Sequence, residues 1–135
     1  MAGRTVEHFM SKDIVCVEPS CPIDDVLQDI SACRISCVVV CEEKRPVGII
    51  TERDLVQVAA NRARGEEPRQ TAAEVMASPV TTVRSCDHLD AAIALTNGGK
   101  LRHLPVVDSV GQLAGLLTQT DLLTTLVELR NSLGD

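Results

Sequence analysis

The chain has 135 residues, of which 44% are hydrophobic and 24% charged, and its formal net charge is −6. This composition is typical of a soluble globular protein, and no apolar run reaches the about 18 residues of a transmembrane helix. The acidic balance and the single aromatic residue argue against nucleic acid and anionic lipid as partners. We therefore expect no nucleic acid and no membrane partner, and the lack of an apolar leader predicts a cytoplasmic protein.

The sequence contains an internal repeat. The segment that begins at Met10 aligns with the segment that begins at Met76, and Val47–Leu55 aligns with Ala114–Leu122. A unit of roughly 60 residues buries too little surface to be stable alone, so the two copies should pack on each other. The predicted boundaries are 8–64 for the first repeat, 72–131 for the second and 65–71 for the linker.

Each copy predicts the same elements in chain order: a short helix, a strand, a helix, two strands around a turn, and a closing helix. Thr5 and Thr71 are the expected N-caps of the opening helices, and Ser20 and Ser85 the expected starts of the second helices. The predicted strands are 14–17, 37–41 and 46–50 in the first copy, and 80–83, 103–107 and 113–117 in the second. The closing helices are expected at Glu52–Arg64 and Gln119–Arg130.

The phrase Gly-x-x-Thr-x-x-Asp occurs once in each copy, over residues 48–54 and 115–121. In both, a strand ends and a helix begins at the threonine. One interpretation is structural: Thr51 and Thr118 are N-caps with an acid in the first helical turn. The other is functional, since free N–H groups and a hydroxyl at a helix N-terminus bind anions, while the aspartate accepts from ribose hydroxyls. Recurrence in matched register favours the functional interpretation.

The tandem repeat, the two phrases and the segment Arg102-His103-Leu104-Pro105-Val106-Val107-Asp108 resemble a pair of CBS domains, a Bateman module. The resemblance covers about residues 8–131. It implies an α/β fold of two βαββα repeats related by a pseudo-twofold axis, with the sheets packed together and the helices outside. Such proteins bind adenosine-containing ligands such as AMP, ATP, NAD or S-adenosylmethionine in clefts between the repeats, and they often regulate another protein.

The resemblance also implies the site residues. Asp54 and Asp121 would bind ribose hydroxyls, and Thr51 and Thr118 would contact phosphate or ribose oxygens. The other implied residues are Ile14 and Val80 at the adenine, Arg53 at the phosphate, and Arg102 and His103 at the phosphate of a ligand. For four of these five, the structural alternatives are a solvent-facing charge (Arg53), a strand-end residue (His103) and core packing (Ile14, Val80).

The first copy departs from the family pattern, because Ser36-Cys37 stands where the second copy has Arg102-His103. Across a pseudo-twofold axis, a ligand on Asp54 would meet Arg53 together with Arg102-His103, whereas a ligand on Asp121 would meet no cation. Charge-assisted hydrogen bonds contribute about 1.5–3 kcal/mol each. We therefore predict one tight site on Asp54 and one weak or empty site per chain.

The function implied is a regulatory module that senses an adenine nucleotide and needs no resident cofactor. The apolar faces of the closing helices, and the resemblance, predict a homodimer. A structural dimerisation module without a ligand is the alternative, because both Thr-x-x-Asp phrases also work as caps. Neither a nucleophile-elbow nor a P-loop phrase occurs, so we expect no enzyme; a cysteine nucleophile is a weak third hypothesis.

Cysteines are concentrated at the start of the chain. Five of the six precede residue 42, and none forms a CxxC pair. Cys33, Cys37 and Cys41 have the spacing of one helix face, but the valines between the last two favour a strand. A metal or redox cluster is one interpretation. The favoured one is that the thiols are buried small hydrophobes in a reducing cytoplasm.

Overall fold

The structure is a computed structural model that describes residues 4–97 and 101–133. The elements in chain order are a 3-10 turn (Val6–His8), β1 (Cys16–Val17), α1 (Ile23–Cys33), β2 (Cys37–Glu42), β3 (Arg45–Thr51), α2 (Glu52–Ala63), α3 (Ala72–Val75), β4 (Val83–Arg84), α4 (Leu89–Thr96), β5 (His103–Val107), β6 (Leu113–Thr118) and α5 (Gln119–Leu133). Each copy thus has the predicted βαββα order, and the α/β fold class is confirmed. The sequence Asn97-Gly98-Gly99 predicts a helix stop, and Asn97 is indeed the C-cap of α4, whereas Gly98 and Gly99 lie outside the described residues.

Two three-stranded sheets, β1-β2-β3 and β4-β5-β6, organise the chain. In each sheet the first strand runs parallel to the second, and the second pairs antiparallel with the third. The chain divides into two compact units. Unit I comprises Ile14–Val80, and unit II comprises the described residues of Met1–Asp13 and Thr81–Asp135.

The segment that opens each repeat is built into the unit of the other repeat's sheet. In unit II, the backbone of Ser11 exchanges hydrogen bonds of 2.8 and 2.9 Å with Leu116 of β6. In unit I, Ala77 exchanges hydrogen bonds of 2.9 and 3.2 Å with Ile49 of β3. The spatial units therefore divide the chain at different points from the sequence repeats.

Each unit has its own apolar core. In unit I, alternate residues of β2 such as Val38 and Val40 pack with α1, α2 and α3, as expected for a strand with one face turned to helices. The unit I core is Ile23, Val26, Val38, Val40, Ile50, Leu55, Val58, Ala72 and Val75. The unit II core is Val6, Val83, Leu89, Ala92, Leu104, Val106, Leu117 and Leu122. Burial of one such side chain contributes about 1.5–3 kcal/mol.

In each copy, the first strand and the second helix begin two to four residues later than predicted. The first strand of each copy begins at Cys16 and Val83, so Ile14 and Val80 precede the strands and do not start them. The second helices begin after Pro22 and His88, not at Ser20 and Ser85. The cause is local turn formation: in the first copy the Cys21 N–H donates to the Glu18 carbonyl, and in the second the His88 imidazole accepts from the Asp90 N–H.

The two sheet hairpins use different turn chemistry. Between β2 and β3, Glu43 and Lys44 both have positive φ, 51° and 67°, which is the backbone of a two-residue type I′ turn. Between β5 and β6, the Asp108 carboxylate accepts from the N–H groups of Val110 and Gln112, and Gly111 has a φ of 84°. The second turn therefore uses the residue types that its backbone favours, and the first does not.

The predicted linker is tied to α2 by a buried carboxylate. Glu67 has a side chain only 1% exposed, and its two oxygens accept from Nε and Nη2 of Arg69 at 2.7 Å each. The Asn61 amide of α2 donates to the same carboxylate at 3.0 Å. These hydrogen bonds lower the pKa of Glu67 to about 2, although burial opposes the shift.

The prediction that the thiols are buried was wrong for most of them. Cys37 and Cys41 are buried, whereas Cys16, Cys33 and Cys86 are exposed and Cys21 is half-buried. Across the described residues, no three His, Cys, Asp or Glu side chains are grouped as metal ligands would be. The helices within those residues also include none long and apolar enough to cross a membrane.

Candidate functional site

The first Thr-x-x-Asp phrase forms a closed hydrogen-bonded box where β3 passes into α2. Oδ2 of Asp54 accepts from the N–H of Thr51 at 2.9 Å and from its hydroxyl at 3.1 Å. The N–H of Asp54 is directed at Oγ1 of Thr51 at 3.4 Å. The predicted N-cap at Thr51 is therefore confirmed, and its pattern is that of a capping box.

The second phrase forms a similar box where β6 passes into α5, with one difference. Oδ2 of Asp121 accepts from the N–H of Thr118 at 2.9 Å, and the N–H of Asp121 donates to Oγ1 of Thr118 at 3.1 Å. Within the described part of the chain, the Thr118 hydroxyl proton has no acceptor, whereas the Thr51 hydroxyl donates to Asp54.

Both carboxylates have one oxygen outside the box. Asp54 and Asp121 are half-buried, and each uses Oδ2 for its box. No donor among residues 4–97 and 101–133 hydrogen-bonds to Oδ1 of either residue. An oxygen held in a fixed orientation and without a donor is suited to accept from a ribose hydroxyl.

The first N–H of each helix is already used by the backbone. The Glu52 N–H donates to the Ser36 carbonyl at 3.1 Å, and the Gln119 N–H donates to the Arg102 carbonyl at 2.9 Å. These bonds hold the residues before β2 and β5 against the helix starts. An anion at either helix would therefore rely on the later N–H groups and on side chains.

The glycine of each phrase makes room for a methionine. A Cβ at Gly48 would collide with the side chain of Met76, and a Cβ at Gly115 would lie 2.5 Å from the Met10 sulfur and 2.9 Å from the Ser11 carbonyl oxygen. Met10 and Met76 belong to the segments that open the two repeats; we call these the exchanged segments, because each pairs with the sheet of the other repeat. The glycines are thus required by packing, a cause that the sequence analysis did not identify.

The structure separates the predicted cations into two groups. Arg53 is exposed in the first turn of α2, beside Asp54 in unit I. Arg102 and His103 belong to unit II, where His103 pairs in register with Thr118. Within its own unit, the basic pair therefore lies at the start of the strand next to the Thr118 box.

Arg69 is a cation that the sequence analysis missed. Its pKa is raised mainly by the hydrogen bonds with Glu67, and the charges of Asp54 and Glu74 add to the effect. Arg69 therefore lies within electrostatic range of the Asp54 carboxylate. No sequence signal identified it, because the charged segment around it favoured a solvated linker.

Ile14 and Val80, predicted at the adenine, are both half-buried and both belong to unit I. The neighbouring Val15 carbonyl accepts from the Val39 N–H at 3.1 Å, which fixes the backbone next to Ile14. Their role at an adenine ring stays a prediction.

Two cavities of unit I lie apart from the predicted residues. A cavity of about 550 Å³ between α1 and α2 is mostly apolar, with Leu27, Ile30, Leu55 and Val56 in its wall. A second, of about 650 Å³, has Cys41 in its wall together with Glu18, Glu42 and Glu43. Neither is lined by any of the nine residues predicted for the nucleotide.

Comparison with known proteins gives the family context. The CBS domain model matches the chain twice, over residues 6–61 and 72–128. An uncharacterized protein of Methanopyrus kandleri is 32% identical over 125 residues, which cover 91% of this chain and 63% of that protein. The inosine-5'-monophosphate dehydrogenase of Thermoplasma acidophilum is 29% identical over 118 residues, covering 87% of this chain and 23% of the enzyme. The chain thus spans less than two thirds of both relatives.

Two solved structures share the fold. The crystal structure of CBSX2 from Arabidopsis thaliana in complex with AMP has a TM-score of 0.80 and 26% identity, covering 95% of this chain and 99% of that one. The cytosolic domain of the Mg²⁺ channel MgtE in complex with ATP has a TM-score of 0.76 and 25% identity, covering 90% of this chain and 48% of that one.

Proposed function

The chain belongs to the CBS domain family, and we propose that it is a regulatory module that binds an adenine nucleotide and signals through a change of shape or association. The observation that carries the proposal is the pair of Thr–Asp boxes in matched register, each with one carboxylate oxygen left without a donor from the described chain. The complexes of CBSX2 with AMP and of the MgtE domain with ATP support an adenine nucleotide as the ligand class.

In this proposal Asp54 and Asp121 each accept from a ribose hydroxyl through Oδ1. Thr118 donates its hydroxyl proton to the ligand without breaking a bond, whereas the Thr51 hydroxyl must first leave Asp54. The two sites would therefore differ in the cost of opening the box. A neutral hydrogen bond contributes about 0.5–1.5 kcal/mol, so this difference alone changes affinity by about tenfold or less.

Charge is the larger difference that we propose between the sites. Arg53 and Arg69 belong to the Asp54 end of unit I. In the second copy, Thr120 stands at the position that corresponds to Arg53. Two cations within range of a phosphate favour tight binding at Asp54. Whether Arg102 and His103 also serve this ligand stays a prediction.

The alternative is a structural dimerisation module that binds no nucleotide. It is favoured by one observation, namely that both boxes are complete as caps without a ligand.

Self-association is common to both functions. Val56 is 68% exposed on α2, and Leu123 and Val127, one turn apart on α5, are 61% and 57% exposed; adjacent exposed apolar side chains are typical of interaction surfaces. We propose a homodimer, and a monomer mass in sedimentation at tens of micromolar would contradict it.

We further propose that the chain acts in the cytoplasm on another protein and has no catalytic activity of its own. The match to inosine-5'-monophosphate dehydrogenase supports the second point, since it is confined to 23% of that enzyme's length.

Isothermal titration calorimetry with AMP, ATP, NAD and S-adenosylmethionine tests the proposal directly. We expect saturable heat with at least one of the four, and a weaker response with adenosine, which has the ribose but no phosphate. Flat titrations with all of them at millimolar concentration would favour the structural module.

A further inference from the structure

Cys16 and Cys41 lie on neighbouring strands of the unit I sheet and on the same face of it. β1 runs parallel to β2 with Cys16 opposite Val39. Cys41 is two residues beyond Val39, so the alternation of side chains puts both cysteines on that face. The Cys16 side chain contributes to the raised pKa of Cys41, so the two thiols lie near each other. Opposite Cys41, β3 has one extra residue, because Val40 pairs with Gly48 and Cys41 with Pro46; such a bulge disrupts the ladder locally.

The two thiols differ in accessibility. Cys16 is exposed, whereas Cys41 is only 5% exposed. Burial, together with its contact with Cys16, raises the pKa of Cys41 to about 12. Cys41 therefore stays protonated at neutral pH and is a poor first nucleophile, while Cys16 is open to an oxidant in solution. One accessible thiol beside one protected thiol is the arrangement of an attacking and a resolving cysteine.

We propose that Cys16 and Cys41 form a reversible intrachain disulfide when the protein meets hydrogen peroxide. The Cys16 thiolate attacks one peroxide oxygen, forming an S–O bond, breaking the O–O bond and releasing hydroxide, which takes up a proton. Cys41 then attacks the sulfenic sulfur; the S–S bond forms, the S–O bond breaks, and the departing hydroxide leaves as water with the Cys41 proton. Two thiols and one peroxide give one disulfide and two waters, with two electrons passing from sulfur to oxygen.

The bond requires a shift of β1, because a two-residue offset between neighbouring strands puts the Cα atoms of Cys16 and Cys41 roughly 8 Å apart. A disulfide needs an S–S distance of about 2.05 Å and Cα atoms about 4.4–6.8 Å apart. β1 is only two residues long, and the residues after it form a turn, so Cys16 is held by few ladder bonds. The disulfide would close a loop that contains α1 and so raise the thermal midpoint of the oxidised protein. This inference does not depend on nucleotide binding.

Thiol counting with peptide mapping tests the disulfide. The full chain is treated with hydrogen peroxide, denatured, alkylated with N-ethylmaleimide and weighed. We expect the untreated protein to take up six labels and the oxidised protein four, with fragmentation of the linked peptides placing the bond between residues 16 and 41. Dithiothreitol should restore six labels.

Matched variants separate this pair from general oxidation. Cys16→Ser should retain all five remaining thiols after the same treatment, whereas Cys41→Ala should lose only the Cys16 thiol, as a sulfenic acid that dimedone traps. Cys86→Ser removes a cysteine that is exposed like Cys16 but belongs to unit II, and it should still lose two thiols. Six free thiols in oxidised wild type, a bond between other positions, a link between chains, or loss of two thiols in Cys16→Ser would each overturn the proposal.

Discussion

The side chain of Met76 occupies the space that a side chain at Gly48 would need. Met76 follows α3, whose backbone continues into the bridge between Ala77 and Ile49. The glycine of the Thr–Asp phrase is therefore explained by packing of the exchanged segment onto β3, and only the Thr and Asp remain to be explained by capping or by a ligand. Unit II repeats the relationship with Gly115 and Met10.

Substituting alanine for either glycine should destabilise its unit. Overpacking of this kind typically costs about 1–3 kcal/mol. At Gly48 the three nearest atoms all belong to the Met76 side chain, and its Cβ at 2.9 Å stays when Met76 is truncated to alanine. Gly48→Ala combined with Met76→Gly, which removes all three atoms, should therefore recover part of the loss. At Gly115 the Ser11 carbonyl oxygen remains in the way, so Met10→Gly should recover less.

A double-mutant cycle measures this coupling. Unfolding is followed by far-ultraviolet circular dichroism, because the chain has no Trp or Tyr for fluorescence. We expect a larger favourable coupling for Gly48 with Met76 than for Gly115 with Met10, within the about 0.5–3 kcal/mol range of residues in contact. Simple additivity at Gly48 would contradict the packing explanation.

The β2–β3 turn should be improved by glycine at position 44. Lys44 has a φ of 67°, and a left-handed conformation costs an ordinary residue about 1–2 kcal/mol. Lys44→Gly should therefore raise the free energy of unfolding by about 0.5–1 kcal/mol, once the added freedom of the unfolded chain is subtracted. The thermal midpoint should rise with it. Arg45→Gly is the control, because Arg45 begins β3 and glycine weakens a strand. A Lys44→Gly midpoint lowered as much as that of Arg45→Gly would exclude the turn explanation.

Glu67 should make stability depend on acid pH. Its pKa in the folded chain is about 2, against an ordinary value of 4.5. A carboxyl group with a lowered folded pKa stabilises the fold above its unfolded pKa, and the stabilisation is lost as pH falls from about 4.5 towards 2. Thermal midpoints from pH 6 to pH 2.5 should therefore fall more steeply for wild type than for Glu67→Gln.

Glu66→Gln is the control for this measurement. Glu66 is exposed and meets Arg64 at 3.4 Å, and a surface ion pair of that kind contributes little. Its pH profile should follow wild type. Parallel profiles for wild type and Glu67→Gln would contradict the role of the Arg69–Glu67 pair.

Much of the fold followed from local patterns, and the errors have specific causes. The consecutive valines 38–40 and the Thr–Asp phrases placed β2, β3 and α2 within a residue or two. Strand β1 was predicted two residues too long, because its pairing with β2 is a long-range contact that begins only at Cys16. The exchange of Ser11 and Ala77 between repeats is long-range, and no local preference encodes it.

For the candidate site too, the sequence predicted the features that depend on local chemistry and missed those that depend on long-range contacts. Sequence alone identified Thr51, Asp54 and their counterparts, because capping chemistry is local. It missed Arg69, since that side chain reaches α2 only after Glu67 folds back to Asn61. A charged stretch with Gly and Pro favours a solvated linker unless its tertiary hydrogen bonds are known.

The capping role of Asp54 can be separated from its proposed ligand role by comparison with Glu74, which caps another helix. Glu74 accepts from the Thr71 hydroxyl and the Gln70 N–H at the start of α3, as Asp54 does at α2, but it is outside the predicted nucleotide site. Asp54→Ala and Glu74→Ala should each lose about 0.5–2 kcal/mol of stability. Only Asp54→Ala should also lose the rise in thermal midpoint that AMP produces. An equal loss of that rise in Glu74→Ala would mean that the effect of Asp54→Ala arises from fold stability.

The central claim is that the Thr–Asp boxes hold the nucleotide, most tightly at Asp54. Calorimetric titration of wild type, Asp54→Ala and Asp121→Ala with AMP tests it most directly. The account predicts that Asp54→Ala removes the tight phase, while Asp121→Ala leaves that phase intact and removes only a weaker one. Loss of the tight phase in Asp121→Ala, with Asp54→Ala unaffected, would contradict the assignment, and unchanged binding in both variants would contradict the site itself.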